Sequence, residues 1–152
     1  AKYLNELLQT MKDPSKMIRA NKQAESKSLY LFKEQTPHIS VIILPKNSID
    51  INFFKTKISD YHLKDFENEV FQINTMLMGL EKHVLIIKNF NNASEVISYN
   101  ELLVSSDFFK ELLDDVNYNL FPMSLENFKE FYKNKDIKGY TEFSNNNYTG
   151  FR

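Results

Sequence analysis

The sequence predicts an α+β domain of ferredoxin-like order, βαββαβ, with a four-stranded antiparallel sheet and an additional C-terminal helix. Three observations predict it. Two short apolar runs, His38–Leu44 and His83–Phe90, have the length and β-branched content of strands buried on both faces. A third stretch, Val70–Leu77, alternates Phe71, Ile73, Thr75 and Leu77 with Gln72, Asn74 and Met76, the period of a half-exposed strand. Between the strands, apolar residues recur at helical spacing.

The elements follow in order. Tyr3, Leu4, Leu7, Leu8 and Met11 make a helical stripe that Asp13-Pro14-Ser15 breaks. Ser15–Lys27 is polar and reads as a weak helix or linker, so residues 1–35 form a helical tail plus linker and residues 36–148 the domain. The first strand is closed by Pro45. Ile51, Phe54, Ile58 and Tyr61 mark an amphipathic helix within Ser48–Phe66. Gly79 marks the turn between the second and third strands. Asn92 with Glu95 three residues later resembles a capping box and opens a helix carrying Ala93, Val96, Ile97 and Leu103. Ser105-Ser106-Asp107 interrupts it, and Phe108–Leu113 reads as a short helix. Val116–Pro122 alternates as a fourth strand, placed near an edge because Pro122 has no N–H. Ser124 caps a last helix containing Leu125, Phe128, Phe131 and Tyr132, and a further turn or helix follows Asp136. The aromatics of this C-terminal segment suggest that it covers a sheet edge or the open sheet face. The Asn-rich stretch Ser144–Arg152 is expected to be loose, with residues 149–152 a flexible tail.

Composition excludes several functions. The formal net charge is −1, and Asp and Glu interleave with the Lys clusters, so no nucleic-acid footprint is present. With no Cys, disulfides, thiolate metal sites and Cys nucleophiles are excluded. Only 3 glycines are present, and none forms a phosphate-binding loop or a Gly-x-Ser-x-Gly elbow. No apolar run approaches the roughly 20 residues of a membrane-spanning helix. The loop after the first strand, Pro45-Lys46-Asn47-Ser48, lacks the Arg that an acylphosphatase needs there. The third strand is aliphatic on both faces, unlike the base-stacking strand of RNA-recognition domains.

No chemistry-bearing cluster emerges. His38, His62 and His83 are scattered, without the i, i+4 spacing of a helical metal site. The pairs Glu67 with Glu69 and Asp114 with Asp115 read as solvated acids at helix ends and turns. No cofactor, metal or catalytic residue is therefore expected. Phe131, Tyr132, Lys135, Asp136 and Tyr140 mix aromatic and charged groups as protein-binding surfaces do, and they are the interaction candidates. The same aromatics also suit packing of the helix onto the sheet.

Lys57-Ile58-Ser59-Asp60-Tyr61, the strand His83–Lys88 running into Asn89-Phe90, and Ala93 with Tyr99 form part of a wider pattern. It continues through Met123–Phe128, Phe131–Asp136, Tyr140, Phe143 and Tyr148. In that order they resemble the C-terminal domain of the large tetratricopeptide-repeat lipoproteins of Bacteroidetes gliding motility and type IX secretion, the SprE/PorW-like proteins. The resemblance covers roughly residues 28 to 148 and is most specific over Ser124–Tyr148. The family's aromatic pair after the last Tyr is replaced here by Phe143-Ser144. The resemblance implies a non-catalytic domain on the periplasmic side of the outer membrane, following helical repeats of about 34 residues. Its implied partners are other envelope or secretion-system proteins, and its membrane attachment is an anchor outside this fragment. The start at Ala1, inside a helical pattern, agrees with an expected fragment of a longer chain. The same order of elements occurs in SPOR domains, which bind peptidoglycan glycan strands. That likeness is one of fold alone, and it makes peptidoglycan the alternative partner. A small-molecule sensor module is a third expectation.

Overall fold

The computed structural model describes residues 29–148, so all but the last seven residues of the expected tail and linker over 1–35, and the tail 149–152, lie outside the described residues. The chain divides into two units, Ala1–Leu31 and Phe32–Arg152, and the second carries the sheet. Its elements are β1 (His38–Pro45), α1 (Ile51–Asp65), β2 (Gln72–Met78), β3 (Lys82–Phe90), α2 (Ala93–Ser105), α3 (Asp107–Leu112), β4 (Asn119–Ser124), α4 (Leu125–Asn134) and α5 (Ile137–Asn147).

The sheet order is β2-β3-β1-β4, with every neighbouring pair antiparallel. This is the α+β arrangement the sequence predicts, compatible with ferredoxin-like βαββαβ order plus C-terminal helices. The apolar runs become the two central strands, β1 and β3, because only central strands under two covered faces need apolar residues at every position. Val41, Ile42, Ile43, Val84, Leu85 and Ile87 are all fully or almost fully buried. β2 is an edge strand and keeps its alternation. β4 is the other edge, where Pro122 is tolerated.

One face of the sheet packs on α1, α2 and α3. Ile42, Leu44, Leu85 and Ile87 meet Phe54 and Ile58 of α1, Val96, Ile97 and Leu103 of α2, and Phe109 of α3 in one core. Asp50 caps α1 by accepting from Asn52 N and Phe53 N, so the helix begins at Ile51 rather than at Ser48. Asn92 caps α2 by accepting from Glu95 N, and Glu95 Oε1 accepts from Asn91 N, close to the expected capping box.

The opposite face holds Ile39, Val41, Ile43, Val84 and Ile86, together with Phe121 and Met123 of β4, all buried. Their cover is the C-terminal segment. Ser124 ends β4 and caps α4 at once, its Oγ accepting from Asn127 N. α4 reaches the far edge of the sheet, where Tyr132 Oη donates to the Leu77 carbonyl of β2 at 2.6 Å. Lys135 reverses the chain with φ of 52°, and α5 returns to β4. Tyr140 packs on Phe121, while Tyr148, one residue past α5, joins the core of the first face. α5 thus wraps the β4 edge.

Two expectations change. The fourth strand spans Asn119–Ser124 instead of Val116–Pro122, because the register that pairs His38 with Ser124 and Ile43 with Asn119 buries Phe121 and Met123 together. Ser144–Tyr148 is ordered: α5 continues to Asn147, and buried Tyr148 anchors it. A β-bulge also interrupts the β1–β3 pairing between His38 and Ser40, opposite Asn89 with φ of 86°. Asn tolerates that conformation, and its Nδ2 donates to the Val70 carbonyl.

Candidate binding groove along the edge of β4

The five interaction candidates separate in space. Phe131 and Tyr140 are 0% exposed and contact each other and Phe121, so they hold α4 and α5 on the sheet and present no surface. Tyr140 Oη also donates to the Pro122 carbonyl at 2.6 Å. Asp136 caps α5, accepting from Gly139 N at 2.9 Å. Tyr132 and Lys135 are the two that come together at the surface, the Lys135 Nζ lying 5.9 Å from the Tyr132 ring centre. Packing onto the sheet, which the sequence also suggested for these aromatics, accounts for Phe131 and Tyr140. The burial of a Phe or Tyr seven or four positions along a helix is not readable until the helix is docked.

A different site is built where α5 wraps β4. Between α2 and α5, with Tyr118–Pro122 as its floor, lies an open groove of about 470 Å³. Its polar lining is Asn100 and Glu101 from α2, Tyr118 just before β4 and Asn119 at its start, and Thr141, Ser144 and Asn145 from α5. Ile97, Val104 and Leu120 supply apolar patches. Glu101 is the one charged lining residue among the described residues.

The walls are held by buried polar contacts. Ser40 Oγ of β1 donates to Asn100 Oδ1 at 2.5 Å. That contact orients the amide, and Asn100 Nδ2 has no partner among the described residues although Asn100 is only 8% exposed. At the end of the groove Tyr148 Oη donates to His38 Nε2 at 2.8 Å, while His38 Nδ1–H donates to the Thr36 carbonyl at 2.7 Å. The carbonyl accepts only, so the His38 tautomer is set. Burial lowers the His38 pKa, offset in part by the Thr36 bond, and pushes the Tyr148 hydroxyl up to about 12. Both groups are therefore neutral at pH 7 and act as fixed hydrogen-bonding partners.

A second buried His–Tyr pair lies in the first face. His62 Nε2 accepts from Tyr99 Oη at 2.6 Å, within an aromatic cluster of Tyr61, Phe66, Phe71 and Phe90. Burial drives the His62 pKa down to about 4 and raises that of Tyr99. This pair belongs to the packing of the first face.

A larger cleft of about 610 Å³ lies between α1 and α3, lined by Lys57, Lys64, Asp60, Asp65, Asp107 and Glu111. Charges of both signs face water there, and no group of three His, Asp or Glu side chains able to hold a metal occurs among the described residues.

None of the groove residues was an interaction candidate from sequence. One signal pointed to it: Asn100 interrupts the apolar stripe Val96, Ile97, Leu103, Val104 on the buried face of α2. A polar residue inside such a stripe needs a partner, and Ser40, inside the apolar run of β1, supplies it. The contributions of Tyr118, Thr141 and Asn145 depend on how α5 turns and left no local mark. Comparison with family models, with curated proteins and with solved structures gives no match.

Proposed function

We propose that this is a non-catalytic protein-binding domain of a periplasm-facing envelope lipoprotein that supports type IX secretion and gliding motility, with other envelope or secretion-system proteins as its partners. The β4 groove is the observation that carries the binding reading. It joins a sheet edge to a row of amides and hydroxyls. The envelope setting rests on the sequence resemblance, whose most specific part, Ser124–Tyr148, is the segment that builds one wall of this groove.

Peptidoglycan binding is the second reading, favoured by the same neutral amide and hydroxyl lining. A glycan site on the open sheet face has no support, since that face is buried under α4 and α5.

The test is a pull-down from solubilised envelopes of a gliding bacterium with the whole chain as bait, run beside sedimentation with purified peptidoglycan. Secretion-system components recovered by the chain, and lost with Ser144→Arg, support the leading reading. Sedimentation alone transfers the assignment to glycan. Neither result sinks both.

A further inference from the structure

We infer that the β4 groove takes an extended peptide segment, neutral or basic, that adds to the sheet as a strand beside β4. This rests on the protein-binding reading and names the ligand of that same site. Three observations carry it.

The first is the part of the β4 edge that precedes Pro122. Pro122 has no N–H, and its carbonyl accepts from Tyr140, so its backbone is turned away from β1. Alternation along an antiparallel strand turns Leu120, two residues earlier, the same way. The Leu120 N–H and C=O therefore face the groove whose floor Leu120 forms. A partner strand uses such groups for its main-chain bonds. Tyr140 occupies the Pro122 position, which stops the pairing there and sets its register. At roughly 3.3 Å per residue, the floor from Tyr118 to Pro122 accommodates about four residues of an extended chain.

The second is Asn100. Its Nδ2 is a buried donor without a partner among the described residues, held toward the groove because its Oδ1 is taken by Ser40. A buried donor left unpaired is costly, and a peptide carbonyl in the groove satisfies it. The third is charge. Among the described residues Glu101 is the sole charged lining group, which disfavours an acidic segment and favours a basic or neutral one.

The experiment pans a displayed library of random linear octapeptides against the full chain and titrates a selected synthetic peptide into ¹⁵N-labelled protein. The expected result is a set of binders depleted in Asp and Glu, with the Leu120 amide shifted and its hydrogen exchange slowed on binding. Leu120→Pro removes the outward N–H while sparing the ladder to β1, as Pro122 already does. It should weaken binding at least tenfold, and far more than Leu120→Ala, which removes the same core-packed side chain but keeps the N–H. Ser144→Arg, which fills the groove from α5, should do the same should Leu120→Pro fold poorly. No binder, binders indifferent to both substitutions, or a preference for acidic peptides overturns the inference. Shifts produced by glycan fragments without protection of the Leu120 amide also overturn it. If envelope partners are still captured by the Leu120→Pro chain but lost with Ser144→Arg, the binding reading of the groove stands and the strand-addition site alone is wrong.

Discussion

The two faces of the sheet are closed by different means. The first is covered by the crossover helices α1 and α2, which the βαββαβ order requires, and its core joins aliphatic side chains to many rings, Phe54, Tyr61, Phe90, Tyr99 and Phe109 among them. The second is closed by α4 and α5, which that order does not require, through the triad of Phe121, Phe131 and Tyr140. The difference teaches where each face's stability resides. The first face is distributed over many side chains from three helices, whereas the second depends on a few rings and on polar anchors, Tyr132 to Leu77, Tyr140 to Pro122 and Tyr148 to His38. The groove lies at the border of the two, because α5 passes from one face to the other around β4.

The largest expected effect compares one fully buried ring from each face. Phe54→Ala and Phe131→Ala should each cost about 3–5 kcal/mol in denaturant unfolding. If α4 and α5 are an integral layer, the two costs will be similar and both transitions cooperative. A Phe131→Ala cost below about 1 kcal/mol would break that equivalence.

Acid should weaken the first face through His62. Its folded pKa, about 4, lies below its ordinary value of 6.5, so the unfolded chain takes up a proton that the folded chain refuses. Stability from this group is full above pH 6.5 and is lost as pH falls toward 4, by on the order of 3 kcal/mol. His38, also lowered by burial, adds loss in the same direction on the groove side. His62→Gln should flatten the pH profile of chemical denaturation over that window; an unchanged slope would remove His62 as its cause.

Tyr140→Phe tests a polar anchor of the second face. It keeps the ring contacts and strips the hydroxyl from the Pro122 carbonyl, with an expected cost of about 1–2 kcal/mol. Calorimetric melting that leaves the variant equal to the parent would show that the anchor contributes nothing net. The smallest effect is expected at Lys135, where φ is 52° at the C-cap of α4. Lys135→Gly should raise stability by a few tenths of a kcal/mol to about 1 kcal/mol, since Gly adopts that conformation without strain. Destabilisation there would mean that the Lys135–Tyr132 contact outweighs backbone strain.

Much of this molecule is local. The continuous apolar content of β1 and β3, the alternation of β2, the caps at Asn92 and Ser124, the turn at Gly79 and the edge placement of Pro122 each follow from neighbouring residues. Strand period, side-chain oxygens near helix N-termini and a missing N–H act over a few positions. Their joint order was enough to define the α+β class and the sheet arrangement.

What the tertiary structure alone decided is everything that depends on docking. The register of β4, the order of Ser144–Tyr148, the burial of Phe131 and Tyr140 and the separation of the five surface candidates all follow from where α4 and α5 come to rest. The groove is of the same kind: Asn100, Leu120 and Ser144 are far apart in sequence and meet because α5 turns around an edge strand. Periodicity records which side of an element is apolar, but the partner that side meets is set by long-range packing, which leaves no period of its own.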